Sequence, residues 1–232
     1  MIGDGRVLGL VPARAGSRRL PGKNMRPLAG RPMIAWTLEA CRASTVLDRV
    51  VVSTDDDAVI ALADDLGFET LHRPEALAGP RASVIDAIVH ALSAIGQTWD
   101  YVVLLQPTSP LRAAADIDAA VTLCHETGAP AVIGVSLMPK PRTFYGRVDA
   151  AGGFRANVPD PDEAVIINGA VYVGRPDILL KDRTFQSPGA LAHVMAPERG
   201  WDVDTLFDFV VCEALWPFVQ GETPAALGGV RR

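Results

Sequence analysis

Residues 7–24 read Val-Leu-Gly-Leu-Val-Pro-Ala-Arg-Ala-Gly-Ser-Arg-Arg-Leu-Pro-Gly-Lys-Asn. An apolar run, Val7 to Val11, turns into a basic, glycine-containing loop, and a helical pattern opens at Pro32. A buried strand, a loop and a helix in that order are the opening unit of an α/β fold. Gly16 and Gly22 let the backbone approach an anion closely, while Arg14, Arg18, Arg19 and Lys23 supply charge and donors. The loop is therefore read as a phosphate cradle. Residues 5–38 hold seven Lys or Arg and no Asp or Glu, in a chain of formal net charge −5. It is not a P-loop: five residues separate Gly16 from Gly22 where that motif has four, and Asn24 follows Lys23 in place of Ser or Thr. Nor is it a dinucleotide fingerprint, because Gly3, Gly5 and Gly9 precede the end of the first strand instead of following it.

Outward from the loop the pattern alternates. Pro32 to Ser44 predicts an amphipathic helix with Ile34, Leu38 and Cys41 on one face. Arg49 to Thr54 is a short buried strand, and its acidic end, Asp55-Asp56-Asp57, has two readings, capping a helix over 58–66, which capping preferences favour, and holding a metal or ribose. Phe68 to Leu71 is a third strand, and helix resumes at Ala82 or Ser83. Trp99 to Leu105 is the clearest buried strand, followed by helix over 115–127 and strand over 131–137. Parallel strands with helical crossovers follow, and in such sheets ligands sit at the carboxyl ends of the strands. The basic loop, Asp55 and Gln106 all follow strands, so they are expected to converge on one edge. Between Met138 and Glu163 the prolines 139, 141, 159 and 161 break the rhythm, which predicts an excursion from the sheet. Strands over 166–173 and 191–195 come next. Val203, Leu206, Phe207, Val210, Val211, Ala214, Leu215 and Phe218 then trace the core face of a last helix.

Composition narrows the function. The 232 residues suit one domain over 1–219 with a flexible tail at 220–232. Cys41, Cys124 and Cys212 are scattered singly, without metal-ligand spacing, which implies a reducing, cytoplasmic setting. No apolar stretch approaches 18 residues, so neither a signal peptide nor a membrane span is expected. Net negative charge with one basic loop argues against nucleic acid and for a small anionic ligand. The four histidines form no zinc motif.

Several stretches, in the same order, resemble the acylneuraminate cytidylyltransferases, which make CMP-sialic and related CMP-nonulosonic acids. They are Pro12 to Asn24, Ser53-Thr-Asp-Asp56, Arg73-Pro74, Gln106-Pro-Thr-Ser-Pro-Leu-Arg112, Asn168-Gly-Ala-Val-Tyr172 and Asp202-Val-Asp-Thr205. The resemblance implies a three-layer, Rossmann-like nucleotidyltransferase fold, with the excursion at 138–165 reaching a homodimer partner. It implies an enzyme that, with Mg²⁺ present, joins the anomeric hydroxyl of a nonulosonic acid of sialic, legionaminic or pseudaminic type to the α-phosphorus of CTP and releases pyrophosphate.

On that resemblance Arg14, Arg18, Lys23 and Asp204 carry the catalysis, and Ala15, Gly16, Ser17, Asn24, Arg73 and Ser83 join Arg14 and Lys23 around the nucleotide. Gln106, Asn168, Lys140 and Arg142 fall on the sugar side, and Asp202 and Asp204 are the implied Mg²⁺ ligands. From the residues alone, Asp204 would cap the last helix. Arg18 stands where the family usually has Lys, keeping charge but widening it into a planar fork. Ile166 stands where sialic-acid enzymes often carry a base; Lys140, Arg142 or Arg155 are the substitutes at hand. Two alternatives remain: a 3-deoxy-manno-octulosonate-type cytidylyltransferase, against which Gln106 to Arg112 speak, and a nucleotide-binding homologue without turnover.

Overall fold

The computed structural model describes residues 2–17, 19–79, 83–140, 144–156 and 164–221. The expectations for Arg18, Arg142, a helix start at Ala82, residues 157–163 of the excursion and the tail beyond 221 lie outside those residues.

β1 (Val7–Ala13) is apolar and buried almost throughout, as a central parallel strand covered by helices must be. The basic loop follows, with a 3-10 turn at Lys23–Met25 and a small ladder of β2 (Pro27–Leu28) with β3 (Arg31–Pro32). α1 (Met33–Ala43) buries Ile34, Leu38 and Cys41, the face its periodicity predicts. β4 (Arg49–Thr54), α2 (Asp57–Asp65), β5 (Glu69–His72), a one-turn α3 (Glu75–Ala78), α4 (Val84–Ile95), β6 (Tyr101–Leu104), α5 (Ala114–Thr127) and β7 (Ala131–Leu137) continue the alternation. The chain then makes the hairpin of β8 (Gly146–Val148) and β9 (Phe154–Ala156) and returns as β10 (Val165–Gly174). α6 (Pro176–Asp182), β11 (Leu191–Met195) and α7 (Leu206–Val219) complete it.

Among the described residues, seven strands form the sheet in the order β11-β7-β10-β6-β1-β4-β5. Every pairing is parallel except the two made by β10, which runs antiparallel to both β6 and β7. Ile34, Val59, Ile117 and Val121 of α1, α2 and α5 cover one face, and Ile85, Ile88 and Leu179 of α4 and α6 cover the other. The result is the expected three-layer α/β architecture.

A third apolar cluster seats α7 against the basic loop: Phe209 and Cys212 pack with Leu20, Leu28, Met33 and Val203. The helix is where its period puts it, but Leu206, Phe207, Val210 and Phe218 are exposed. α7 is apolar on two faces, so size and spacing could not tell which one meets the core. The 138–165 excursion holds the β8–β9 hairpin, which pairs with neither strand edge of the main sheet.

Candidate active site

The carboxyl ends of β1, β5 and β6 open onto a cleft of about 530 Å³. Thr54 Oγ1 donates to the Ala13 carbonyl, fixing β1 to β4 where the loop begins. Asp55 and Asp56 then divide the work at the end of β4. Asp56 caps α2 by accepting from the Ala58 N–H at 3.0 Å, while Asp55 accepts from the Ala15 N–H at 2.9 Å and so holds the basic loop. Across the loop the buried Asn24 amide donates to the Arg14 carbonyl, and Arg14 Nη1 donates to the Gly79 carbonyl at 3.2 Å. Gly22, at φ 65°, needs the left-handed region that glycine reaches without strain. Gly16 has neither a positive φ nor a crowded Cα, so nothing in the folded chain demands glycine there.

Arg73 is 5% exposed and lies flat on β4, donating from Nε to Ser53 Oγ and from Nη2 to the Ser53 carbonyl. Burial lowers its pKa and Asp55 opposes that drop. Ser83 is the N-cap of α4 in a capping box with Asp86, so its hydroxyl serves the helix while its position sets the positive end of α4 on the cleft.

The opposite wall carries Gln106, Pro107, Thr108, Asp202 and Asp204. Asp204 pairs with two loop cations: Arg19 Nη2 at 2.7 Å and Lys23 Nζ at 3.3 Å. Lys23 also donates to the Val203 carbonyl at 2.9 Å. The N-cap of α7 is Thr205, one residue later than the sequence alone suggests, because Thr205 can share a capping box with Asp208. That leaves the Asp204 carboxylate to the cations, while its N–H donates to Asp208 Oδ2 at 3.1 Å. Asp202 Oδ1 is buried with no hydrogen-bond partner. Burial raises the Asp202 pKa; Thr108 and Lys23 pull it back and the Asp204 charge pushes it further up. An orphaned carboxylate oxygen beside a second carboxylate is a donor set that suits a hard divalent cation whose other ligands are water and phosphate oxygens. Among the described residues no group of three or more His, Cys, Asp or Glu could hold a metal unaided.

Three contacts hold the segment that carries these carboxylates. Arg199 donates from Nε and Nη2 to Asp116 at 2.9 and 3.1 Å. Gly200 lies so close to Ser136 and Asn168 that a Cβ would meet their side chains at 2.4 and 2.6 Å. The Val203 N–H donates to the Thr108 carbonyl at 2.7 Å. Asn168, expected on the sugar side, is therefore a buried brace: Nδ2 donates to Ser136 Oγ and Oδ1 accepts from the Ala170 N–H, closing the bulge in β10.

Of the residues singled out in the sequence, Arg14, Ser17, Lys23, Asn24, Arg73, Ser83, Gln106, Asp202 and Asp204 line the cleft. Ala15 and Gly16 sit in the loop behind it, and Lys140 is exposed after β7, away from the cleft lining. Arg19, known from the sequence only as part of the loop's charge, lines the cleft as well, together with Thr108, Leu77 and Val84. The Thr-Ser turn after β6 was the one available pointer to Thr108.

A cytidylyltransferase family model matches residues 8–138. The chain is 32% identical over 212 residues to the N-acylneuraminate cytidylyltransferase of Escherichia coli O18:K1:H7, covering 88% of this chain and 50% of that protein. It is 32% identical over 228 residues to the CMP-N,N'-diacetyllegionaminic acid synthase of Legionella pneumophila, covering 93% and 98% of the two chains. The chain thus spans about half the length of the first relative and nearly all of the second. A solved CMP:2-keto-3-deoxy-manno-octonic acid synthetase, complexed with CTP, superposes with a TM-score of 0.70 over 92% of this chain and 99% of that one, at 19% identity, which shows a shared fold.

Proposed function

Since the chain belongs to the cytidylyltransferase family, we propose that it moves CMP from CTP onto the anomeric hydroxyl of a nonulosonic acid of sialic, legionaminic or pseudaminic type. The hydroxyl oxygen bonds to the α-phosphorus, the bond to the β-phosphate oxygen breaks, and pyrophosphate leaves. Such a transfer asks the protein for positioning and charge neutralisation more than for covalent chemistry.

The observation that carries the reading is one cleft, at the carboxyl ends of β1, β5 and β6, in which the loop cations Arg19 and Lys23 meet the carboxylate of Asp204 and Asp202 lies two residues away. Arg14, Ser17 and Lys23 supply donors for the triphosphate, with Arg18 beside them in the loop. Arg73, Leu77 and the N-terminus of α4 shape the opposite end for the nucleoside. Gln106 and Thr108 face the acceptor. Asp202 and Asp204 would hold Mg²⁺, which when bound neutralises phosphate charge. Lys23, fixed by the Val203 carbonyl, is placed to stabilise negative charge on departing pyrophosphate.

A second copy of the chain would complete the sugar side. Phe144, Val148 and Phe154 of the hairpin region and Ile166 of β10 are 56–73% exposed, an apolar surface suited to a homodimer partner. Three free, buried cysteines accord with a cytoplasmic setting, and among the described residues no helix is long and apolar enough to cross a membrane.

Pyrophosphate release from CTP is the test, run with Mg²⁺ across a panel of nine-carbon 2-keto acids and 3-deoxy-manno-octulosonic acid. Turnover on one nine-carbon acid, abolished by a chelator and reduced at least ~100-fold by Asp204→Ala, is the expected result. Preference for the eight-carbon acid would overturn the acceptor, and CTP binding without turnover would overturn the enzyme.

A further inference from the structure

Among the described residues, Asp204 is the one cleft carboxylate whose two oxygens are both engaged by cations, Oδ2 by Arg19 and Oδ1 by Lys23. The two cations are held differently. The Lys23 side chain is 14% exposed and anchored to the Val203 carbonyl, whereas the Arg19 side chain is 68% exposed. Next to it, Leu20 is buried in the α7 cluster, so the Arg19 backbone is pinned at the cleft rim while its guanidinium can swing. Asp202, two residues away, has no ion partner among the described residues, and its inner oxygen is orphaned.

We propose that Arg19 couples nucleotide arrival to metal loading: in the free protein it holds Asp204, and it releases that carboxylate when a triphosphate takes its guanidinium. This rests on the reading that Asp202 and Asp204 hold the divalent cation. A bare cation entering the free site must displace Arg19 from Asp204 and approach Lys23 and Arg14 unshielded. A triphosphate reverses both terms. Its oxygens match the planar fork of an arginine bidentately, and its charge offsets the loop. An exposed ion pair is weak enough for the exchange to cost little. Linkage makes the effect reciprocal, so metal and nucleotide each raise the affinity for the other.

The test uses the full chain with Mn²⁺ as a paramagnetic probe, free Mn²⁺ being read by electron paramagnetic resonance, and CTP binding without metal being read by calorimetry. Arg19→Gln is expected to raise the Mn²⁺ affinity of the nucleotide-free protein about threefold to fivefold, the worth of an exposed ion pair. The same variant weakens metal-free CTP binding by at least about that factor. Arg19→Lys, which keeps the charge, restores most of both. The exposure of Arg19 keeps these variants folded, which a thermal melt verifies. Unchanged Mn²⁺ affinity in Arg19→Gln, with binding still lost in Asp204→Asn, would overturn the coupling and leave the metal site standing. Unchanged CTP affinity would overturn it as well, because the guanidinium would then have nowhere to go. Mn²⁺ binding that survives Asp204→Asn would instead sink the metal reading, and the coupling with it.

Discussion

Gly169 sits in the left-handed region at φ 76°, and a methyl group there would meet Gln106 Oε1 at 3.1 Å. Two constraints therefore meet at one Cα, a backbone that L residues avoid and a side chain of the cleft wall. Gly169→Ala is expected to cost about 1–2 kcal/mol in urea unfolding. Because the methyl pushes on Gln106, the KM for the sugar acid should rise more than the KM for CTP; equal effects on both would mean that Gln106 does not face the acceptor. Arg112 shows the same economy of placement. Fully buried, its Nη1 donates to the Ala170 and Gln106 carbonyls, and burial lowers its pKa to about 10. Lys23 was legible in the sequence because a loop of cations without acids stands out, whereas Asp204 was singled out only by the family resemblance, the residues alone reading it as a helix cap. The bracing roles of Asn168 and Arg199 were not legible, since a brace is defined by a partner 32 or 83 residues away, which no local pattern carries.

At the scale of elements, the site depends on how the segment between β11 and α7 is tied to α5. Burial alone would raise the Asp116 pKa, but the neighbouring His193, the fork of Arg199 and the Ala113 N–H outweigh it and bring the value to about 2. His193 Nε2 is 3.8 Å away, beyond hydrogen-bond reach, so the 2.9 Å contact from Arg199 is the stronger cause. A carboxyl with a depressed folded pKa stabilises above its unfolded value and loses that contribution as pH falls. The wild type should thus lose about 1–2 kcal/mol between pH ~4 and pH ~2, the full linkage value being reduced for the exposure of Arg199. Asp116→Asn should be less stable at neutral pH and flat across that window in chemical denaturation. A wild-type slope in the variant would assign the loss to other carboxylates. α7 marks the limit of pattern reading at this scale: its period located the helix, yet only the packing of Leu20 and Val203 against Phe209 and Cys212 chooses the buried face.

For the whole molecule, the alternation of buried strands and helices was enough to foresee a mainly parallel α/β sheet with the site at its carboxyl edge, since both follow from local periodicity and a general rule of such sheets. Strand order was not, because insertion of β10 between β6 and β7 is a long-range choice. The apolar surface of the hairpin and β10 belongs to this scale too. Phe154→Asp combined with Ile166→Asp should shift the mass seen by light scattering from dimer to monomer and raise the KM for the sugar acid, with CTP affinity retained. A wild type that runs as a monomer would remove the partner from the site.

The reversed strand also sets a timetable for folding. Residues up to Leu104 can assemble β6-β1-β4-β5 by themselves, because all three ladders close within that stretch. β7, though made soon afterwards, has only β10 and β11 as neighbours and must wait for at least 28 further residues, from Met138 to Val165, before it can begin to pair. As the chain leaves the ribosome, these four strands can thus be paired while Val203, Asp204 and α7, which hold Lys23 and Leu20 of the basic loop, are still unmade. The nascent protein exposes an unpaired β6 edge and a loose apolar strand in that interval, and a chaperone or an early ligand would act then.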